Sequence, residues 1–238
     1  MFRVSEIFTS IQGEGNFSGT PAHFIRFQGC PVRCYFCDSK WTWLRNDGSA
    51  VSCEWEDILQ AVTRLKRKFP NVGHIVLTGG EPLWENPDIG RLLAELCRSS
   101  DFTIQIETSG MVENASLIRF LDAESVIDPA GVRITVSPKA PQVGMDEYLP
   151  VSRQLLRAAH EVKFPVAEDI DVTTRIPAFM EEYADCFIAG GRRPLIYLQP
   201  VDFGDPAVNS GLNRLAVSTA VEKGWAVSVQ AHKFFGVR

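Results

Sequence analysis

Three cysteines fall within eight residues in the segment GCPVRCYFCDS, at Cys30, Cys34 and Cys37. Their spacing is C-x3-C-x2-C, on a loop that directly follows an apolar run at His23–Gln28. Three thiolates on one short loop can bind three irons of a cubane cluster, since such clusters take Cys ligands. The fourth iron is then open to an exogenous chelator. Zinc is the competing reading, but a structural zinc site normally supplies four ligands from the protein. Here the fourth would have to be Asp38, or His23 or Cys53 brought in by the fold. Three unrelated thiols are the remaining alternative.

Polar or Gly-rich motifs follow other apolar runs in the same way. They are Thr78-Gly79-Gly80-Glu81-Pro82, Glu107-Thr108-Ser109-Gly110, Ser137-Pro138-Lys139, Gln199-Pro200 and Gln230-Ala231-His232-Lys233. The runs that would position them read as strands: His23–Gln28, Ile75–Leu77, Phe102–Ile106, Arg133–Val136, Glu161–Phe164, Leu195–Leu198 and Ala226–Gln230. Between several of them lie helical patterns. Residues Glu54–Lys68 carry Ile58, Leu59, Val62 and Leu65 at three- and four-residue spacing, with Pro70 as a stop. Pro87–Cys97 and Leu212–Val221 are similar. Strand–helix alternation predicts a parallel sheet covered by helices. Seven strands in 238 residues is short of a closed eight-stranded barrel. The expectation is therefore an α/β fold, a partial, open barrel with a mostly parallel sheet, forming one domain over residues 1–238. In such barrels chemistry sits at the C-terminal strand ends, where these motifs lie.

Composition narrows the classes. Hydrophobic content of 45% and charged content of 22% are those of a globular protein. A net charge of −5 argues against a nucleic-acid surface, which wants clustered cations. The one basic cluster, Arg64, Lys66, Arg67 and Lys68, falls on a predicted helix and reads as a solvated face. No apolar run is long enough to cross a bilayer. Glu6 interrupts the apolar N-terminal stretch, against a secretory signal. Clustered thiols in a chain of this size imply a reducing compartment, hence the cytoplasm. Cys53, Cys97 and Cys186 are widely separated and read as packing residues.

Together the motifs carry a resemblance. SIQGEG at 10–15, RFQGC at 26–30, CYFCDS at 34–39, TGGEP at 78–82, ETSG at 107–110, SPK at 137–139, LQP at 198–200 and QAHKFFG at 230–236 occur in order along nearly the whole chain. The cysteine spacing is the signature of the radical S-adenosylmethionine superfamily. The full set resembles the 7-carboxy-7-deazaguanine synthase family within it.

The resemblance implies a 4Fe–4S cluster on Cys30, Cys34 and Cys37 and S-adenosylmethionine on its open iron. Phe36, Cys37, Asp38, Gly80, Ser137, Pro138, Lys139, Gln199 and Asp202 are the implied cofactor contacts. Phe36 could equally be a core aromatic, and Asp202 a turn residue. The implied substrate contacts are Ile11, Gln12, Gly13, Glu14, Arg26, Thr78, His232 and Arg238. Arg26 could instead form a structural ion pair, and His232 could be a satisfied buried histidine. Ser39 stands where the family usually has a Thr that binds Mg²⁺; the hydroxyl is preserved and suits a hard cation. The implied reaction converts 6-carboxy-5,6,7,8-tetrahydropterin to 7-carboxy-7-deazaguanine with loss of ammonia, in 7-deazapurine (queuosine) biosynthesis. A homodimer and a reductant such as flavodoxin are expectations at the family level. An activase that makes a glycyl radical in a partner protein is the nearest rival, and a zinc-binding module a more distant one.

Overall fold

The computed structural model describes residues 1–44, 50–98, 102–123, 131–140, 142, 147–188 and 193–237. Arg238, expected at the substrate site, lies outside them. Among the described residues one nine-stranded sheet runs through the molecule, in the order β3-β1-β2-β4-β5-β6-β7-β8-β9. Its parallel part consists of β2 (Pro21–Phe27), β4 (His74–Gly79), β5 (Thr103–Thr108), β6 (Val132–Val136), β7 (Glu161–Val166), β8 (Leu195–Pro200) and β9 (Ala226–Val227). These are the seven strands expected from the sequence. β9 is shorter than expected, ending before Ser228, whose side chain is used elsewhere.

Two strands were not expected. β1 (Phe2–Ile11) pairs antiparallel with β2 and with β3 (Val51–Cys53). The charged and polar residues of β1 (Arg3, Ser5, Glu6, Thr9, Ser10) conceal a period-two pattern in which Phe2 and Val4 are buried.

Helices follow the parallel strands. They include α2 (Trp55–Lys68), α3 (Ile89–Arg98), α4 (Ala115–Ala123), α5 (Arg153–Ala158), α6 (Val172–Glu182), α7 (Ala184–Ile188) and α8 (Pro206–Lys223), with the short α1 (Trp41–Leu44) and α9 (Ala231–Phe235) at either end. Glu54 and Asp57 form a capping box on α2, satisfying two backbone donors at its start. Ile58 and Val62 are its buried face. Asp205 caps α8, Pro206 opens it, and Gly224 ends it in the left-handed conformation at φ 70°.

The sheet has two unlike faces, because successive side chains alternate. Ile25, Phe27, Ile75, Leu77, Ile104, Ile106, Val136, Val162 and Phe164 are buried toward the helices. The opposite, concave face is apolar only near Phe8, Ala22, Phe24 and Val76. Elsewhere it carries Gln12, Arg26, Thr78, Gln105, Glu107, Thr135, Glu161 and Lys163, several of them buried. Buried polar groups cost free energy unless they are paired. Their concentration on one face marks where the chemistry is.

Candidate active site

A cavity of about 610 Å³ opens on the concave face. Every residue proposed from sequence as a site residue lines it, apart from Pro138 and Arg238. Pro138 is buried between Ser137 and Lys139, which do line it.

The cysteine loop leaves β2 at Gly29, whose φ of 97° favours glycine. The Gly29 N–H donates to the Thr42 carbonyl at 2.8 Å, and its own carbonyl accepts the Glu81 N–H at 2.8 Å. The following loop thus packs on the Gly79–Gly80 turn. A Cβ at Gly80 would lie 2.0 Å from the Gly29 carbonyl oxygen and 3.3 Å from Cys30 Cβ. Glu81 fixes this turn from below. Its buried carboxylate accepts from Thr108 Oγ1 (2.6 Å), Ser109 Oγ (2.6 Å), the Ser109 N–H (2.8 Å) and the Leu83 N–H (3.2 Å). The TGGEP and ETSG motifs are therefore two halves of one hydrogen-bonded corner.

Cys34 is buried, Cys30 and Cys37 are half-buried, and all three line the cavity. Burial pushes the Cys34 thiol up to about 11; Lys139 opposes this, while Cys30 and Cys37 add to it. Burial also raises Cys30, opposed by the N–H groups of Arg33 and Val32 aimed at its sulfur. Arg33 has a φ of 53°, unusual for a residue with a side chain. Three thiols lining one cavity, with backbone donors directed at the Cys30 sulfur, favour thiolates once a metal supplies positive charge, so the donor set fits an iron–sulfur cluster. Around a single tetrahedral ion thiolates would sit roughly 4 Å apart. Among the described residues the donors that converge within 4.8 Å are instead those of Glu14, Asp38 and His232.

Ser39 Oγ donates to Asp38 Oδ1 at 3.0 Å and accepts from Arg26 Nη1 at 3.2 Å. The two adjacent hard oxygens fit Mg²⁺, provided that the Arg26 guanidinium first gives up the hydroxyl. Arg26 also pairs with Glu6 at 3.0 Å and lies 5.7 Å from the ring centroids of Phe8 and Trp41. It is thus both in an ion pair and at the cavity wall, beside Thr78 in the β2–β4 register.

The segment after β1 crosses the interior. Gln12 Nε2 donates to Gln105 Oε1 (2.8 Å) and Glu107 Oε1 (3.0 Å), and Thr78 Oγ1 donates to Glu107 Oε2 (2.8 Å). Glu14 Oε2 pairs with Lys163 Nζ, while Glu14 Oε1 accepts from Gln230 Nε2 at 2.9 Å. Burial alone would raise the Glu14 carboxyl. The charge and hydrogen bond of Lys163, then Gln230 and His232, more than offset it and hold the group at about 2. Lys163 is in turn raised: burial opposes its charge, and Glu14, Glu107 and Glu161 outweigh burial. Gly13 lies against His232, where a Cβ would come within 1.9 Å of Nδ1.

On the far wall Lys139 Nζ donates to Ser137 Oγ at 2.6 Å, which itself donates to the Lys163 carbonyl at 2.7 Å. Gln199 Oε1 accepts from Ser228 Oγ at 2.9 Å. Asp202 is a turn residue as well as a lining one: it accepts the Gly204 N–H (2.9 Å) and Asn209 Nδ2 (2.6 Å), and pairs with Lys233 at 3.3 Å.

Sequence reading did not single out Glu107, Lys163, Ser228 or Gln230 as individual site residues. Glu107 and Gln230 stand in recognised motifs. The signal for Lys163 was its alternation with Glu161 inside an otherwise apolar strand, EVKFPV.

Comparison with known proteins agrees with this geometry. Residues 24–187 match the model of the radical SAM superfamily. The chain is 32% identical to a 7-carboxy-7-deazaguanine synthase of Buchnera aphidicola subsp. Schizaphis graminum, over 100% of this chain and 99% of that protein. It is 34% identical to one of Rickettsia prowazekii, over 98% and 88%. The crystal structure of QueE from Escherichia coli superposes with a TM-score of 0.71 at 31% identity, covering 97% of this chain and 94% of that one.

Proposed function

From the premise that this chain belongs to the radical SAM superfamily, and within it to the 7-carboxy-7-deazaguanine synthases, we propose that it converts 6-carboxy-5,6,7,8-tetrahydropterin to 7-carboxy-7-deazaguanine with loss of ammonia. The observation that carries this reading is that one cavity is lined by the three thiols, the Gly79–Gly80 turn, the carboxylate-binding candidate Arg26 and the Mg²⁺ candidate Ser39. Residues 1–238 would form one radical SAM domain, with a 4Fe–4S cluster on Cys30, Cys34 and Cys37. With S-adenosylmethionine bound there and one electron from a reductant, the cluster would supply hydrogen-abstracting radical chemistry that no side chain can provide.

The protein's own work is binding and orientation. Gly80, whose missing side chain lets the turn pack on the Gly29 carbonyl beside Cys30, would bind the methionine amino group of the cofactor through its backbone. Phe36, Cys37 and Asp38 line its adenosine end, with Ser137, Lys139, Gln199 and Asp202 opposite. Pro138 would act only by holding Ser137 and Lys139. On the substrate side, Arg26 offers a planar fork for the pterin carboxylate. Ionised Glu14 and the Gln12 Oε1 would accept from the pterin edge, both Gln12 N–H groups being given to Gln105 and Glu107, with Ile11, Gly13, Thr78 and His232 around them. Asp38 and Ser39 are the oxygens for Mg²⁺. Arg238, a homodimer, a flavodoxin-type reductant and a cytoplasmic location belong to the same proposal. No helix among the described residues is long and apolar enough to cross a membrane.

The test is anaerobic turnover of reconstituted, reduced enzyme with S-adenosylmethionine and 6-carboxytetrahydropterin, read by mass spectrometry. Formation of 7-carboxy-7-deazaguanine is expected, and 5′-deoxyadenosine alone would reject the substrate. The Arg26→Ala variant should keep reductive cleavage of S-adenosylmethionine but lose on the order of 100-fold in kcat/KM for the pterin, as expected for a lost charge-assisted clamp.

A further inference from the structure

The segment that follows β9 touches both halves of the cavity. Gln230 Nε2 donates to Glu14 Oε1 at 2.9 Å and to Asp38 Oδ2 at 3.2 Å. Its Oε1 accepts from Lys233 Nζ at 2.8 Å. This orientation of the amide is the one that chemistry requires, since nitrogen faces two carboxylates and oxygen faces an ammonium. Lys233 continues to Asp202 at 3.3 Å. Two residues earlier, buried Ser228 forms a second bridge: its Oγ accepts the Gly15 N–H at 3.0 Å and donates to Gln199 Oε1 at 2.9 Å. The Ala231 N–H then donates to the Gly13 carbonyl at 2.9 Å. Each bridge has one foot on residues 13–15, at the substrate end, and the other on Asp38, Gln199 or Asp202, at the cofactor end.

We propose that Ser228–Lys233 is a coupling strap, with Gln230 and Ser228 as positioning residues that make occupancy of the cofactor site strengthen substrate binding, and the reverse. This rests on the functional reading above, which gives Asp38, Gln199 and Asp202 to the cofactor and Glu14 to the substrate. A ligand that orders Asp38 and Gln199 fixes Gln230 and Ser228, and through them the Glu14 carboxylate and the Gly15 backbone. The second ligand then meets a site whose ordering cost is already met. The same coupling must operate in both directions, because linkage between two binding equilibria is reciprocal. An order of binding in which the cofactor prepares the pterin pocket would limit radical formation without substrate in place.

The experiment is equilibrium binding to the full-length, cluster-reconstituted and unreduced protein, so that nothing turns over. S-adenosylmethionine is titrated with and without saturating 6-carboxytetrahydropterin, and the pterin with and without S-adenosylmethionine. Wild type should show a mutual gain of roughly tenfold, within the usual span for coupled sites. In Gln230→Leu the gain should fall to within about twofold whatever each ligand's affinity alone becomes, because the gain is a ratio and reads only the link between the sites. Gln230→Glu puts an oxygen between two carboxylates, breaks the bridge by repulsion and should lower the gain at least as far as Gln230→Leu. Ser228→Ala, a smaller change, should lower the gain partway. A wild type that turns over the pterin yet shows no mutual gain overturns the strap and leaves the function standing. So does a gain that survives both Gln230→Leu and Ser228→Ala, or one in which both affinities fall together at constant ratio. A wild type that binds S-adenosylmethionine but never the pterin overturns the functional reading, and the strap with it.

Discussion

Lys163 and Glu14 share a nearly water-free contact between β7 and the segment after β1, with side chains 7% and 13% exposed. Removing one partner of such a pair leaves a buried, uncompensated charge at a cost of about 3–5 kcal/mol. In the native protein Glu14 lies below its ordinary range, so its contribution is complete above the unfolded carboxyl value near 4.3 and is lost only as pH falls toward about 2. Lys163 is raised, so its contribution is complete below its unfolded value near 10.4 and is lost only as pH climbs through the folded one. Between about pH 5 and 9 the pair therefore adds no slope. In Lys163→Met, burial acts on Glu14 without its principal opponent, and the carboxyl moves above its ordinary range. The folded variant then binds more protons than the unfolded chain, and its stability falls as pH rises. The melting temperature of Lys163→Met, taken as its difference from wild type at each pH, should fall progressively from pH 5 to 8, and Lys163→Arg should remove that trend; the difference is used because the depressed His23 and His74 give the wild type a rise of its own. The variant's kcat/KM for the pterin should fall most near pH 5, where Glu14 becomes neutral. At this scale the sequence was legible wherever a residue stood in a motif: Cys30, Cys34, Cys37, Arg26 and Gly80 all line the cavity. It was not legible for Lys163, because a lone Lys in a strand has no partner in sequence. Glu14 lies 149 positions away.

Elements place these residues by holding one another's ends. The turn after β4 is set between the Gly29 carbonyl and the Glu81 carboxylate, which accepts four hydrogen bonds and has no room for a donor. In Glu81→Gln one acceptor oxygen becomes an NH₂ facing donors, leaving buried groups unpaired at about 1–3 kcal/mol. Melting should fall by several degrees. S-adenosylmethionine affinity should fall as well, because Gly80 loses its support. Gly80→Ala tests the other side of the turn. Its Cβ meets backbone rather than a flexible side chain, so the cysteine loop must shift; iron and sulfide per protein after reconstitution should drop well below wild type. Retained full loading would show that the loop can yield there. Strand–helix alternation made the seven parallel strands readable, since both periodicities are local. The pair β1 and β3 escaped because polar residues mask the alternation of β1 and the edge strand β3 has only three residues, so what identifies them is pairing rather than pattern. The tail of β9 was overread for the opposite reason: Ser228–Gln230 continues an apolar run, but its side chains leave the ladder to bond Gly15, Gln199, Glu14 and Asp38.

For the whole molecule, the sheet is open, and residues 12–17 with 228–233 fill part of its concave side. Gln12 reaches β5, Asn16 N–H reaches Glu161 on β7 at 3.0 Å, and Phe17 packs on His74 of β4 with ring centroids 4.4 Å apart. None of this could be read from periodicity, because the segments have none; only the motifs SIQGEG and QAHKFFG marked them. Stability and function are consequently separable along the chain. Among the described residues the last buried apolar side chain is Ala220, while Phe234 and Phe235 are 86% and 62% exposed. Apolar burial dominates folding free energy, so the residues beyond Gln230 add little to it. They nevertheless supply His232 against Gly13 and the Ala231 bond to the Gly13 carbonyl, both at the end of the cavity proposed for the substrate. A chain ending at Gln230 should therefore melt within about 4 °C of the full protein, the shift expected for roughly 1 kcal/mol at this size. It should load iron normally and cleave S-adenosylmethionine on reduction. Its turnover of 6-carboxytetrahydropterin should fall by at least about 100-fold, since the Gly13–Glu14 backbone loses its anchor and the cavity loses a wall. Normal pterin turnover in that shortened chain would mean that residues 12–15 hold their geometry unaided, and that the open sheet needs no closure from its C-terminal segment to bind substrate.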